Sequence, residues 1–298
     1  MRQFSNILKK NGLEVLKYTI RGRATIVKTP LGQFVFKKNN GCDIYKYLSS
    51  RNFEYFPKII DFDNDNIMYE YLEDIDYDKE QRAFDIIHLI SLLHSKTTYY
   101  KEINYDEYKK IYEEYKNKIN YMNNYYLDLI GQIESKIYMS PYEYLVARNI
   151  SKILSCFNYC NIEIDKWYDL VKDKKRKRVV TLHNNLKLDN LIKNKHIYLI
   201  SWDKFKIDFP IYDLVDFYNL YSLDFDFISL FSEYERIFPL LEEEKILLNV
   251  LISIPNKIPY SSNEFDMINY TRRLIDKIYK TENILASKEK EERKDTKK

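Results

Sequence analysis

The stretch Val179–Asp216 constrains this chain more than any other. Two short apolar runs, Val179–Leu182 and Ile197–Trp202, flank a loop that carries His183, Asn185, Asp189 and Asn190. Short apolar runs bounded by polar residues read as buried strands. Polar groups crowded at a buried edge must bond one another, the backbone or a ligand, because desolvation is otherwise uncompensated. Two readings stay open at this point. One is an ordinary hairpin with a polar tip, and the other is a functional loop.

Composition narrows the class. The chain has 298 residues, 45% hydrophobic and 31% charged, enough for one large domain or two lobes in an ordinary globular protein. A net charge of +3 from 48 basic and 45 acidic residues argues against a dedicated nucleic-acid binder. No apolar run reaches the ~18 residues of a membrane helix. The start, MRQFSNILKK, lacks the apolar core and cleavage site of a signal peptide. Three cysteines, Cys42, Cys156 and Cys160, form no even framework, which fits a reducing, cytoplasmic setting. Cys156 and Cys160 stand one helical turn apart but have no third ligand nearby, so they read as core thiols.

In chain order, the pattern predicts a helix over Phe4–Asn11, a strand over Glu14–Ile20 and a tight loop at Gly22. A hairpin follows, Ala24–Thr29 and Gln33–Lys38 joined at Pro30-Leu31-Gly32. Gly41–Ser50 reads as a helix burying Ile44, Tyr47 and Leu48. Phe56–Ile60 and Asn66–Leu72 read as strands. Ala83–Ser95 is an amphipathic helix with Ile86, Leu89, Ile90 and Leu93 on one face, and His88 and His94 in structural positions. Residues 99–180 are helical. Ser140-Pro141-Tyr142-Glu143 marks a capped helix start, with Ile150, Ile153 and Leu154 buried downstream. The basic run Lys172–Arg178 reads as a solvated loop beside an apolar strand, or else as a site for a phosphate-rich or anionic-lipid partner. Helices are expected over Ile211–Ser222, Pro239–Ile254 and Asn263–Ile284, the last opened by a Ser261–Glu264 capping box. A disordered charged tail is expected over 286–298.

HNNLKLDN resembles the catalytic loop, HGDxxxxN, of the aminoglycoside phosphotransferase and choline kinase family. LISWD resembles that family's metal-binding strand, [LI]-I-D-[WF]-[ED], and DFPIYDLVDF resembles the segment that follows. His183, Asn190, Asp203, Pro210 and Asp213 fit the pattern. Asn185 stands at the catalytic Asp position and Ser201 at the first metal-binding Asp position. The insert SPYEYLVARNISKI resembles the spore-coat (CotS-like) branch of the family.

The resemblance implies an α+β, bilobal protein-kinase-like fold. It would have a small antiparallel-sheet N-lobe over 1–72 and a larger helical C-lobe over 73–285, with inserted helices at 99–178. It implies that Lys37 reaches the nucleotide phosphates beneath a loop at Gly22, where Arg21 and Arg23 offset a shortage of glycines. The backbone of Glu70, Tyr71 and Leu72 would meet the adenine. His183 would shape the loop, Asn190 and Asp203 would hold metal, and Asp213 would brace the loop. Asp43 is one carbon shorter than the Glu that partners the lysine in kinases.

Phosphoryl transfer is mostly positioning and electrostatics. A neutral Asn185 cannot accept a proton, and a neutral Ser201 is a poor ligand for a hard divalent cation. ATP and Mg²⁺ are the family's cofactors, and the two substitutions weaken or remove them here. The first reading is therefore a degenerate pseudokinase with a binding or scaffold role. The alternative is an active ATP-dependent small-molecule phosphotransferase in which Asp189 serves as base and Asp203, on the same strand face as Ser201, holds the metal. Under the first reading the partner is a protein, and under the second it is a small-molecule acceptor. The expected location is cytoplasmic, with spore-coat association open.

Overall fold

The structure is a computed structural model that describes residues 4–39 and 43–295. Gly41 and Cys42, expected at the start of the second helix, lie outside the described residues. The chain divides into two compact units, Met1–Thr97 with Thr181–Lys206, and Thr98–Val180 with Ile207–Lys298. This division does not coincide with a cut after Leu72. The loop motif and the first long helix group with the sheet.

In the first unit, α1 (Ser5–Lys10) precedes β1 (Lys17–Arg21), β2 (Ala24–Thr29) and β3 (Gly32–Lys38). Then come α2 (Asp43–Ser50), β4 (Ile59–Phe62), β5 (Asn66–Glu70) and α3 (Lys79–Thr97). The five strands form one antiparallel sheet in the order β1-β2-β3-β5-β4. Alternation decides its core: Val27, Phe36 and Met68 point to one face, where Phe4, Ile7 and Leu8 of the N-terminal segment cover them. The Phe4 and Phe36 rings lie 4.9 Å apart. α2 buries Ile44, Tyr45 and Leu48. Tyr45 takes the core place expected of Tyr47, and its hydroxyl shares a hydrogen bond of 2.9 Å with that of Tyr69. α3 buries Ile86, Leu89, Ile90 and Leu93 as its periodicity requires, and His94 is packed among them.

In the second unit, β6 (Tyr99–Glu102) leads to α4 (Tyr105–Glu134), α5 (Pro141–Val171) and β7 (Arg176–Leu182), and β7 continues into the first unit. α5 buries one stripe, Val146, Ile153, Phe157, Cys160, Ile164, Trp167 and Val171. Ile150 and Leu154 are half-buried flanks. The start of α5 is fixed as its sequence predicts, because the Ser140 N–H donates to the Glu143 carboxylate at 2.8 Å. β8 (Leu191–Lys193) and β9 (Ile197–Leu199) form a small hairpin of the first unit, and β10 (Lys206–Asp208) joins β7 and β6 in a three-stranded sheet. α6 (Ile211–Tyr221), α7 (Phe227–Ile237), α8 (Glu242–Ser253) and α9 (Glu264–Asp295) complete the chain.

Several expectations are corrected. The apolar runs beside the polar loop are not partners in one hairpin, since β7 pairs with β6 and β9 with β8. α9 continues as helix past Ala286 to Asp295, because Glu, Lys and Arg are strong helix formers even without an apolar stripe. The Ser261 hydroxyl donates to Asp266, and Asn263 accepts the Phe265 N–H, so Asn263 does the capping expected of Ser261. Glu264 instead accepts the Tyr142 N–H at the start of α5. The basic run is not a solvated loop throughout. Arg178 is 11% exposed and donates from Nε to the buried Glu244 at 3.0 Å and from its terminal nitrogen to Pro239 O at 2.9 Å. Its guanidinium lies 4.2 Å from the centroid of the Phe238 ring. Cys160 is a core thiol whose Sγ donates to Val250 O, and Cys156 is half-buried, its Sγ donating to Lys152 O. Burial pushes the Cys156 thiol up to about 11. No helix among the described residues is long and apolar enough to cross a membrane.

Candidate functional site

The first unit brings together Lys37 of β3, Arg23 of the β1–β2 turn, and residues 183–204. β1 and β2 are joined by Gly22 and Arg23 alone, since Arg21 pairs with Ala24. A two-residue hairpin loop needs positive φ at its first position, and Gly22 supplies it at +57°.

Lys37 is half-buried, unlike the exposed Lys38 beside it. Its ammonium donates to the Ser201 hydroxyl at 3.0 Å. Burial lowers its pKa from the usual 10.5, Asp203 opposes that shift, and Arg23 adds to it. Arg23 lies 3.7 Å from the Asp203 carboxylate. Asp43 does not take the role of the kinase Glu, being 96% exposed and paired with Lys46.

The loop is stitched by amides. His183 is fully buried, with Nε2 at 3.0 Å from Ile200 O and its ring edge-on to Trp202 at 4.7 Å. Asn184 donates to Lys204 O, Asn185 to Ser201 O at 3.3 Å and Asn190 to Asn185 O at 2.8 Å. Asn184 has φ of +55°. The phosphotransferase pattern has glycine there, and asparagine is the side chain that best tolerates this left-handed conformation.

Ser201 is also left-handed, at φ +67°, and Trp202–Lys204 is a 3₁₀ turn. Asp203 therefore does not lie on one strand face with Ser201, because β9 ends at Leu199. Asp189 is exposed on a second 3₁₀ turn, Leu188–Asn190. No hydrogen bond or ion pair among the described residues joins it to Asn185, Ser201 or Asp203. Glu70 lies at the end of β5, where its N–H donates to Lys58 O and its carboxylate accepts the Lys58 N–H. Tyr71 and Leu72 follow, half-buried. Asp213 is buried in the first turn of α6, in the second unit.

Sequence reasoning missed Arg82. Its buried guanidinium donates to Leu191 O at 2.9 Å, Leu188 O at 3.4 Å, Ile75 O at 3.4 Å and the Asp74 carboxylate at 3.0 Å. It thus clamps the turn that carries Asp189 and Asn190. The available signal was an arginine on the otherwise apolar face of α3.

The donor set does not fit Mg²⁺. Mg²⁺ is held by one or two carboxylates together with substrate phosphates and waters, so a neutral side chain in place of a carboxylate removes a large part of the protein's share. Here Ser201 offers a neutral hydroxyl that accepts from an ammonium, and the carboxylate of Asp203 faces a guanidinium. No group of three or more His, Cys, Asp or Glu among the described residues could hold a metal ion.

No family model matches the sequence, and no curated protein matches it. Solved structures do. An aminoglycoside phosphotransferase from Alicyclobacillus acidocaldarius is similar with a TM-score of 0.65 and 8% identity, over 93% of this chain and 92% of that one. The AMP-bound complex of a spectinomycin phosphotransferase is similar with a TM-score of 0.56 and 12% identity, over 96% and 98%. The chain has the α+β, protein-kinase-like fold of the aminoglycoside phosphotransferases.

Proposed function

We propose that this chain is a degenerate phosphotransferase, a pseudokinase that holds a nucleotide and acts by binding rather than by phosphoryl transfer. One observation carries the reading: at the position of the catalytic base, the Asn185 side chain is a hydrogen-bond donor, committed to Ser201 O. A base must accept a proton within hydrogen-bond reach of its substrate, and an amide nitrogen cannot. Losing one transition-state interaction costs ~3 kcal/mol, a factor of ~10² in rate, and here two positions are altered. Nucleotide binding is supported by Lys37, by the tight turn at Gly22, and by the AMP bound in the spectinomycin phosphotransferase of like fold. The backbone of Glu70, Tyr71 and Leu72 is expected to meet the adenine edge.

The alternative, an active small-molecule phosphotransferase, would need Asp189 and Asp203 to replace the missing groups. The spore-coat reading rests on the insert, whose SPYEYLVARNISKI opens α5. A cytoplasmic protein partner fits a scaffold best.

Thermal shift with ATP and ADP, each with and without Mg²⁺, tests the proposal alongside release of γ-phosphate. A ligand at ~100 times its Kd stabilises by ~2.7 kcal/mol, a shift of several degrees. A shift without turnover is expected. Turnover that disappears in Asp203→Ala would establish the alternative, and no shift with either nucleotide would remove the nucleotide site.

A further inference from the structure

The misfit with Mg²⁺ leaves two cations facing one carboxylate. Lys37 bonds a neutral hydroxyl, Arg23 stands 3.7 Å from Asp203, and Asp43 is turned to Lys46. We propose that Arg23 and Lys37 form a polyphosphate site that works without a divalent cation, with Asp203 holding Arg23 until phosphate arrives. The inference rests on the nucleotide-binding reading above and adds its charge logic.

Charge explains why such a site suits these residues. In the phosphotransferase pattern, a carboxylate at position 201 would repel a phosphate unless a metal bridged the two. Ser201 removes that repulsion and leaves the ammonium of Lys37 with no full countercharge in contact. Arg23 is 79% exposed and Asp203 21%, so their pairing is screened by water and is readily exchanged. A guanidinium binds two phosphate oxygens at once, a stronger match than its monodentate approach to Asp203. Gly22 lacks a Cβ, and a Cβ built there would meet no atom within 4 Å, so the turn carrying Arg23 is open to a bulky anion.

The inference reverses the expected role of Asp203. If Asp203 held a metal, neutralising it would abolish binding. If it restrains Arg23, neutralising it frees a phosphate ligand and tightens binding. Calorimetric titration of the full chain with ADP and with inorganic tripolyphosphate, in EDTA and in excess Mg²⁺, separates these outcomes. ADP is expected to bind in EDTA at least as tightly as in Mg²⁺. Arg23→Gln should weaken it about tenfold, the worth of one charge-assisted contact, and Asp203→Asn should tighten it several-fold. Arg23 is exposed, so its variant tests binding rather than folding.

ADP binding that requires Mg²⁺ and vanishes in Asp203→Asn would overturn the inference and leave the nucleotide site intact. ADP binding in EDTA that is indifferent to Arg23→Gln would also overturn it. Tripolyphosphate binding that depends on Arg23, without ADP binding, would sustain the inference and refute the nucleotide. Binding of neither ligand would refute both.

Discussion

The Asn185 amide donates to the Ser201 carbonyl oxygen at 3.3 Å, so the two residues that stand where the phosphotransferase pattern has aspartates are bonded to each other. The bond uses the Asn185 side chain and the Ser201 backbone, so restoring Asp at 185 alone should disturb the loop. Asn185→Asp replaces a donor with a carboxylate facing a carbonyl oxygen, which should cost ~1–3 kcal/mol. At ~2–4 °C per kcal/mol, calorimetry should read a clear fall in Tm. Ser201→Asp gives Lys37 a carboxylate at a left-handed position that Asp tolerates, so its Tm should not fall. The double variant should depart from additivity, as contacting residues do. A stable Asn185→Asp variant would show that this hydrogen bond does not hold the loop.

Arg82 should be the most sensitive residue of the first unit. Arg82→Ala strips partners from three carbonyl oxygens and from Asp74, a loss of ~2–4 kcal/mol. Lysine should rescue it poorly, because one ammonium cannot span acceptors matched to a planar fork. Urea unfolding of both variants would check this, and an Arg82→Lys variant as stable as wild type would contradict it.

The pair of Arg178 and Glu244 should behave as a buried ion pair. Their side chains are 11% and 2% exposed, and Glu244 also accepts the N–H of Leu241 at the start of α8. Arg178→Ala should cost ~3–5 kcal/mol by leaving the carboxylate without its cation. Arg178→Met with Glu244→Gln should cost less than the sum of the single changes. Additive losses in a double-mutant cycle would mean that the pair contributes no coupling.

Lys277 of α9 sets a pH dependence. Its ammonium donates to Asn219 at 2.7 Å, and burial, followed by Lys118, pushes its pKa from 10.5 down to about 8. Between these values the unfolded chain holds a proton that the folded chain has released. Stability should therefore rise with pH from about 8, by at most ~1.4 kcal/mol per unit. Tyrosines act oppositely. Tyr115 is raised to about 12, chiefly by burial, so above pH ~10 the unfolded chain ionises first and stability falls. Lys277→Met should flatten the rise, and an unchanged slope in that variant would assign it to other groups.

Much of the fold was legible because local signals agreed. Pro30-Leu31-Gly32 gave the β2–β3 hairpin, the apolar period gave α3, and Ser140 to Glu143 gave the start of α5. The loop motif was legible as a pattern of polar residues beside apolar runs. What failed was whatever depends on backbone conformation or distant partners. Nothing local reveals that Ser201 turns left-handed, so Asp203 was placed on a strand that had already ended. Glu244 lies 66 residues from Arg178, which is why the basic run read as solvated. β6 was missed because all four of its residues are exposed and carry no alternation.

Arg82 ties Leu188 and Leu191 to a helix whose other face is core. The loop between β7 and β8 is therefore finished before any ligand meets it. Its order comes from the folding of α3 and not from the energy of association. A partner of that loop would meet it already ordered, so none of its binding energy would be spent on ordering it.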